Sequence, residues 1–373
     1  MKNFRKHHFL EVLKQFQNTH LPLDTLMHHY FRKNKAIGSK DRKEIAENIY
    51  GVVRWMGKLD AFLKKPATFE KRLEAFLEKK HLEPHQVPFI DVSFPKTLFA
   101  LLESQYGLEK AKQLCLVLNE QAPVTLRTNL LQTTRQDLTT LLKKEGLEIE
   151  LSKASKTAIH LKKRANLFGL DLFKKGWFEL QDEGSQIICE WVKLPKEARL
   201  LDYCAASGGK TLAIASRLKN KGHFFLHDVR KNRLEEAKKR AKRAGVQNIH
   251  FQFGKAMEPL HKTMDVVICD VPCSGTGTLR RNPDLKWKFT KKELGNLVQK
   301  QKEILDQALL FLKPHGTLIY ITCSILQEEN QNQIENFLKR HKSFILTDEL
   351  FLLPQSNGHD GFYAAQLASE EQG

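Results

Sequence analysis

Two cysteines stand where chemistry needs them. The stretch DVPCSGTG, Asp270 to Gly277, closes an apolar run with an acid, a proline and Cys273. Further along, YITCS, Tyr320 to Ser324, closes another with Cys323 between Thr322 and Ser324. A lone cysteine in such a place is most often a small buried hydrophobe. Two at neighbouring strand ends, one beside a carboxylate, would instead meet in one crevice. A thiolate with an acid and a nucleoside cofactor suits nucleophilic attack on an electron-poor ring, and cytosine C6 is such a centre. Spacing alone does not rank the two thiols.

A third stretch, LDYCAASGGKT at Leu201–Thr211, sits between a strand and a helix. A phosphate-cradling P-loop needs glycine where this chain has Cys204, and without it the backbone loses the freedom to wrap phosphates. The small residues Ala205, Ala206, Ser207, Gly208 and Gly209 fit a nucleoside-cofactor loop better. An acid after the next strand, Asp228, would then reach ribose hydroxyls. A zinc deaminase needs P-C-x-x-C, but Ser-Gly-Thr follows Cys273. The six cysteines form no C-x-x-C pair, so neither a metal centre nor a disulfide framework is expected.

The elements that must position these residues follow from the pattern. From Ala198 onward, strands RLLDYC, GHFFLHD, QNIHFQF, MDVVICD and GTLIYITC alternate with helices, and GFYAAQL adds a late strand. That alternation predicts a parallel, doubly wound sheet with ligands outside the strands' carboxyl ends. Residues 119–197 read as a small α+β segment, with strands at VTLRTNLL, LEIELS and TAIHL around a helix at RQDLTTLLKKEG. Residues 1–118 show apolar residues three and four apart and read as all-helical. Ser39 with Asp41 reads as a cap for one of these helices, and Trp55 as core.

The chain has 373 residues and a formal net charge of +18, spread along its length rather than held in a tail. An excess of that size favours a polyanion, most simply nucleic acid. No apolar run is long enough to span a membrane, and the N-terminal residues lack a secretory pattern, so a cytoplasmic protein is expected.

Taken together, these motifs resemble the RsmB/Nop/Sun family of S-adenosylmethionine-dependent RNA (cytosine-5) methyltransferases. DYCAASGGKT is similar to the family's D-x-C-A-A-P-G-G-K-T, DVPCSGTG to its D-A-P-C-S-G-x-G, and YITCS to its Y-x-T-C-S. RRNPDLKW, QDEGSQ, NEQAPVTLRTN and DGFYAAQL match further family stretches, and DRKEIAENIYGVVRW resembles a NusB-like helical domain of the ribosomal-RNA branch. The resemblance implies a Rossmann-like methyltransferase domain over 198–373, an RNA-binding α+β segment over 119–197 and a NusB-like domain over 1–118. It implies Cys323 as the nucleophile, Cys273 as the thiol that assists product release, and Asp270 and Lys210 at the target base. It implies S-adenosylmethionine contacts from Cys204, Ala205, Ala206, Ser207, Gly208, Gly209, Lys210, Asp228, Arg233 and Asp270. RNA contacts would come from Arg127, Asn129, Arg281 and Lys286. A monomer acting on small-subunit ribosomal RNA is the expectation, with tRNA or DNA as other substrates and a non-catalytic assembly factor as the other class. Two departures stand out. Ser207 replaces the family's proline, which predicts a looser loop, and Gly254-Lys255 stands where an acid would face adenine.

Overall fold

The computed structural model describes residues 1–19 and 21–369. Its contacts divide the chain into two compact units, one of residues 1–121 with 278–294, the other of 122–277 with 295–373.

The first unit is helical, built mainly on helices Asn3–Gln17, Leu23–Lys33, Ser39–Phe62, Phe69–Leu77, Lys96–Tyr106 and Leu108–Leu118. Their apolar faces meet in one core around Phe9, Leu13, Ile45, Ile49 and Val52. Trp55 packs against that core, as its pattern predicts. Ser39 does not cap its helix: it is the first helical residue, and the capping position belongs to Gly38 with no side-chain bond. The later segment 278–294 is threaded into this unit. Trp287 donates from Nε1 to the Val53 carbonyl at 2.7 Å, and a Cβ on Gly57 would lie 2.7 Å from its ring.

In the second unit the predicted α+β segment is a four-stranded antiparallel sheet. It consists of β1 (Val124–Thr128), β2 (Ile149–Leu151), β3 (Ala158–Leu161) and β4 (Phe178–Leu180), ordered β2-β3-β1-β4. Helix Arg135–Lys144, capped by the Thr134 hydroxyl, covers it with Leu138 and Leu142. The larger sheet has β5 (Arg199–Asp202), β6 (His223–His227), β7 (Ile249–Gln252), β8 (Met264–Asp270), β9 (Leu312–Thr322), β10 (Phe344–Leu352) and β11 (Phe362–Ser369). Their order is β10-β11-β9-β8-β5-β6-β7.

Strands β5 to β9 are parallel, but β11 runs antiparallel to both β9 and β10, so the sheet is mixed rather than wholly parallel. Alternate residues face opposite sides, as strand geometry requires. Leu200, Ile268 and Ile319 enter one core with helices Gly209–Arg217 and Lys231–Ala244. Leu201, Val267 and Leu318 enter the other with helices Lys291–Ala308 and Gln331–Arg340. Burial on both faces is why these strands read as continuous apolar runs. The order reverses at β5, with β6 on one side and β8 on the other, and the crevice outside the carboxyl ends opens there. Among the described residues, no helix is long and apolar enough to cross a membrane.

Candidate active site

The crevice is formed by loops leaving β5, β6, β8 and β9. Parallel register levels the last two strand ends, because Asp270 pairs with Ile321. Just beyond, Cys273 Sγ lies 3.3 Å from Cys323 Sγ. The loops are tied together: Gly277 N–H donates to the Cys323 carbonyl at 2.9 Å. Because β11 runs backwards, its beginning reaches the same place, and Gly361 N–H donates to the Gly277 carbonyl at 2.8 Å. Phe362 follows, its ring centroid 5.7 Å from Lys210 Nζ.

Lys210 donates to Asp270 Oδ2 at 2.5 Å, which joins the glycine loop to the acid of DVPC. Burial opposes the charge on Lys210, but Asp270, Cys189 and Cys323 outweigh it and hold the ammonium's pKa above its ordinary value. The Cys273 thiol is pushed well up by its hydrogen bond to Cys323, then by burial and by the charges of Cys323 and Glu329. Cys273 is thereby favoured in its protonated form.

Glu329 is a residue that the motif reading overlooked. It is fully buried and accepts from Ser274 N at 2.8 Å, Ser274 Oγ at 2.5 Å and Gln301 Nε2 at 2.9 Å. Gln301 also donates to the Pro272 carbonyl at 3.0 Å. On the other loop, Thr322 donates to Asn330 Oδ1 at 2.6 Å, and Asn330 Nδ2 donates to the Ser324 carbonyl at 3.0 Å. The serines after the two cysteines sit 3.3 Å apart through their hydroxyls. The only sequence signal for this brace was a polar run, QEEN, soon after the strand.

The glycine loop turns through two left-handed residues, Ala206 (φ 47°) and Gly208 (φ 76°). A Cβ on Gly208 would lie 3.2 Å from both Ala237 and Leu226, so the left-handed turn and the tight space beside it both favour glycine. Ala206 N donates to Asp228 Oδ2 at 2.9 Å, and Ala205 N to the His227 carbonyl at 2.8 Å. Asp228 is buried. Burial favours its neutral form, but hydrogen bonds from Arg230 and Ala206 N override this and lower its pKa. Its four acceptor sites are filled by Ala206 N and three bonds from Arg230, so a ribose would displace the Arg230 side chain, which is 57% exposed. Asp202, at the end of β5, accepts from Thr211 Oγ1 at 2.6 Å while its Oδ1 is buried without a partner among the described residues. Burial pushes its pKa up to about 7. Cys204 is half-buried and burial raises its thiol pKa too. The tight left-handed turn, the small residues and the acid after β6 fit a nucleoside cofactor. Lys255 is exposed, as is Gly254, and puts no carboxylate at the position expected near adenine.

Several residues expected to touch ligands fasten the protein's own backbone. Arg127 is 3% exposed and donates to Gln181 Oε1 at 2.6 Å and the Gly209 carbonyl at 2.7 Å. Asn129, 2% exposed, donates to the Gly176 and Ala244 carbonyls at 2.7 and 2.8 Å. Lys286, 1% exposed, lies in the helical unit and donates to the Arg54 carbonyl at 2.8 Å and Asn119 Oδ1 at 2.7 Å. All three are buried and bonded to protein acceptors, although Arg127 Nε is left without a partner among the described residues. Arg281 is half-buried in the same helical unit. Arg233 is exposed and pairs with Glu236 at 3.3 Å along its own helix. On this helix the arginine that reaches the cofactor loop is Arg240, two turns further on, bonded to Ser207.

Comparison with known proteins points one way. Residues 189–368 match the family described as 16S rRNA methyltransferase RsmB/F. Residues 94–167 match the ferredoxin-like domain of RsmF/B-like methyltransferases. Ribosomal RNA small subunit methyltransferase B of Photorhabdus laumondii is 35% identical over 286 residues, covering 73% of this chain and 66% of that protein. The protein of that name from Pectobacterium atrosepticum is 31% identical over 344 residues, covering 87% and 76%. A solved methyltransferase homolog from Pyrococcus horikoshii shares the fold, with a TM-score of 0.67 and 23% identity, covering 76% of this chain and 97% of that one.

Proposed function

This chain belongs to the 16S rRNA methyltransferase RsmB/F family, and from that premise we propose that it methylates C5 of a cytosine in small-subunit ribosomal RNA through a covalent adduct with Cys323. The observation that carries the reading is the pair of thiols 3.3 Å apart beside the Lys210–Asp270 pair. Bound in the glycine loop, S-adenosylmethionine supplies an electrophilic methyl group. The backbone of Ala206–Gly209 and the Asp228 carboxylate would hold it.

The chain's own residues do the rest. The Cys323 thiolate forms a bond to C6, and the C5–C6 π pair moves to C5. Asp270 uses its remaining lone pairs to accept from the N4 amino group of the base, and from N3 once that nitrogen carries a proton, while Lys210 fixes the carboxylate's direction. After C5 has gained the methyl, a proton leaves C5, the C6–S bond breaks and the ring double bond returns.

Cys273 suits the second half of this sequence. The thiol's pKa is raised first by its bond to Cys323 and also by that residue's charge. Both influences weaken once Cys323 sulfur is bonded to carbon. Cys273 then gives up its proton to solvent more readily, and the thiolate so formed takes the C5 proton as the C6–S bond breaks and Cys323 leaves as thiolate.

The test is a denaturing gel with labelled ribosomal RNA. Cys323→Ala should abolish methyl transfer, and Cys273→Ala should leave RNA covalently attached. A Cys323→Ala enzyme with normal turnover overturns the mechanism. Bisulfite sequencing of RNA from cells with and without the protein tests the substrate: unchanged cytosine methylation in ribosomal RNA rejects it, and a lost tRNA site would replace it.

A further inference from the structure

In the loop that the proposed cofactor would occupy, Ser207 stands where the motif it resembles has a rigidifying proline. Proline locks φ without any outside support. Serine at 207 leaves that dihedral free, next to the left-handed Ala206. The surroundings supply a substitute. Arg240 Nη1 donates to the Ser207 carbonyl at 3.0 Å and to the Ser207 hydroxyl at 2.8 Å. The same guanidinium is aimed by Glu179, which accepts from its Nε at 3.2 Å and its Nη2 at 3.0 Å. Glu179 is 3% exposed and is itself held by Arg243. The planar fork of arginine can grip carboxylate and loop at once, which lysine cannot.

We propose that Arg240, oriented by Glu179, is a positioning residue that clamps the cofactor loop in place of the missing proline. The inference rests on the cofactor reading above for its functional meaning, but the clamp itself is a property of the free protein. Ser207 N–H makes no hydrogen bond among the described residues, so proline at this position removes no backbone bond and forgoes only the bond from Arg240 to the Ser207 hydroxyl. Arg240 and a proline are therefore alternative solutions to one problem, and each should mask loss of the other.

Two readouts test this on the full chain. The first is hydrogen exchange at the bonded amides of Ala206 and Gly208, without any ligand. Arg240→Ala should speed their exchange about tenfold, the weight of one charge-assisted hydrogen bond. Adding Ser207→Pro should slow it again. The second is S-adenosylhomocysteine affinity by calorimetry, expected to weaken about tenfold in Arg240→Ala and to recover in Arg240→Ala/Ser207→Pro. Arg240→Lys, which keeps a cation beside Glu179, should behave as Arg240→Ala in both. Unchanged exchange in the single variants, or no recovery on adding proline, overturns the clamp. If the unaltered protein binds no S-adenosylhomocysteine, the cofactor reading fails while the exchange data still decide the clamp.

Discussion

Asp202 offers a direct measure of what the site stores in its electrostatics. Its carboxylate is 1% exposed, with one oxygen bonded to Thr211 and the other unpartnered. Burial, opposed by the Thr211 bond and reinforced by Asp270, raises its pKa from 3.8 to about 7. The sign follows from linkage. The folded state holds this proton to a higher pH than the unfolded chain does. The stability gained from that proton is full below pH ~4 and is lost as pH rises through ~7. A shift of about three units at roughly 1.4 kcal/mol each makes the loss about 4 kcal/mol. Asp202→Asn is neutral at every pH and nearly the same shape. It keeps an acceptor for Thr211 but buries an amide donor, at a cost of about 1–3 kcal/mol. The variant should therefore be less stable than the parent below the unfolded pKa, by about 1–3 kcal/mol, and more stable at pH 8 by a similar amount, the curves crossing between about pH 4.5 and 6. Thermal midpoints of the ligand-free proteins from about pH 3.5 to 9 would show the crossing. Parallel curves would refute the argument, because they would mean Asp202 pays no burial penalty on ionising.

Two other perturbations probe the braces. Glu329→Gln puts an amide against the Ser274 donors and should cost about 1–3 kcal/mol by thermal midpoint; in a Cys323→Ser background it should also speed alkylation of Cys273 at pH 8, since the carboxylate raises that thiol's pKa. An unchanged alkylation rate would show that Glu329 only packs. Lys286, whose pKa burial drives well down, should make the protein gain stability as pH rises from 7 towards 9.5, because the unfolded chain holds that proton longer. Lys286→Met should remove the gain, and a parent curve without one would refute it.

The carboxyl-end crevice was legible because β5, β8 and β9 are buried on both faces and end in unmistakable polar residues. Juxtaposition of Cys273 and Cys323 followed once β8 and β9 proved adjacent. The antiparallel β11 was readable as a strand but not as a reversed one, since direction depends on what the chain does beyond the sheet. Strand β10, FILTDELFL, was missed because an edge strand with exposed Ile345 and Leu346 lacks a buried face to impose alternation. The burial of Arg127, Asn129 and Lys286 was hidden for a different reason. A polar residue in a motif looks the same in sequence whether it meets a ligand or ties down a carbonyl, and only three-dimensional burial separates the two. The same blindness hid Arg240, one cation among many on a basic helix.

The threading of 278–294 into the helical unit has a consequence for how the protein is made. Trp287 and Lys286 leave the ribosome only after β5 to β8 have been synthesised. Until then, Asn119 and the Arg54 and Val53 carbonyls wait for donors that do not yet exist. The amino-terminal helices cannot complete their packing as they emerge, although domains made first commonly fold first. A gene fragment ending at residue 121 would encode a permanently unfinished object, and so a boundary drawn for expression must include both stretches or neither.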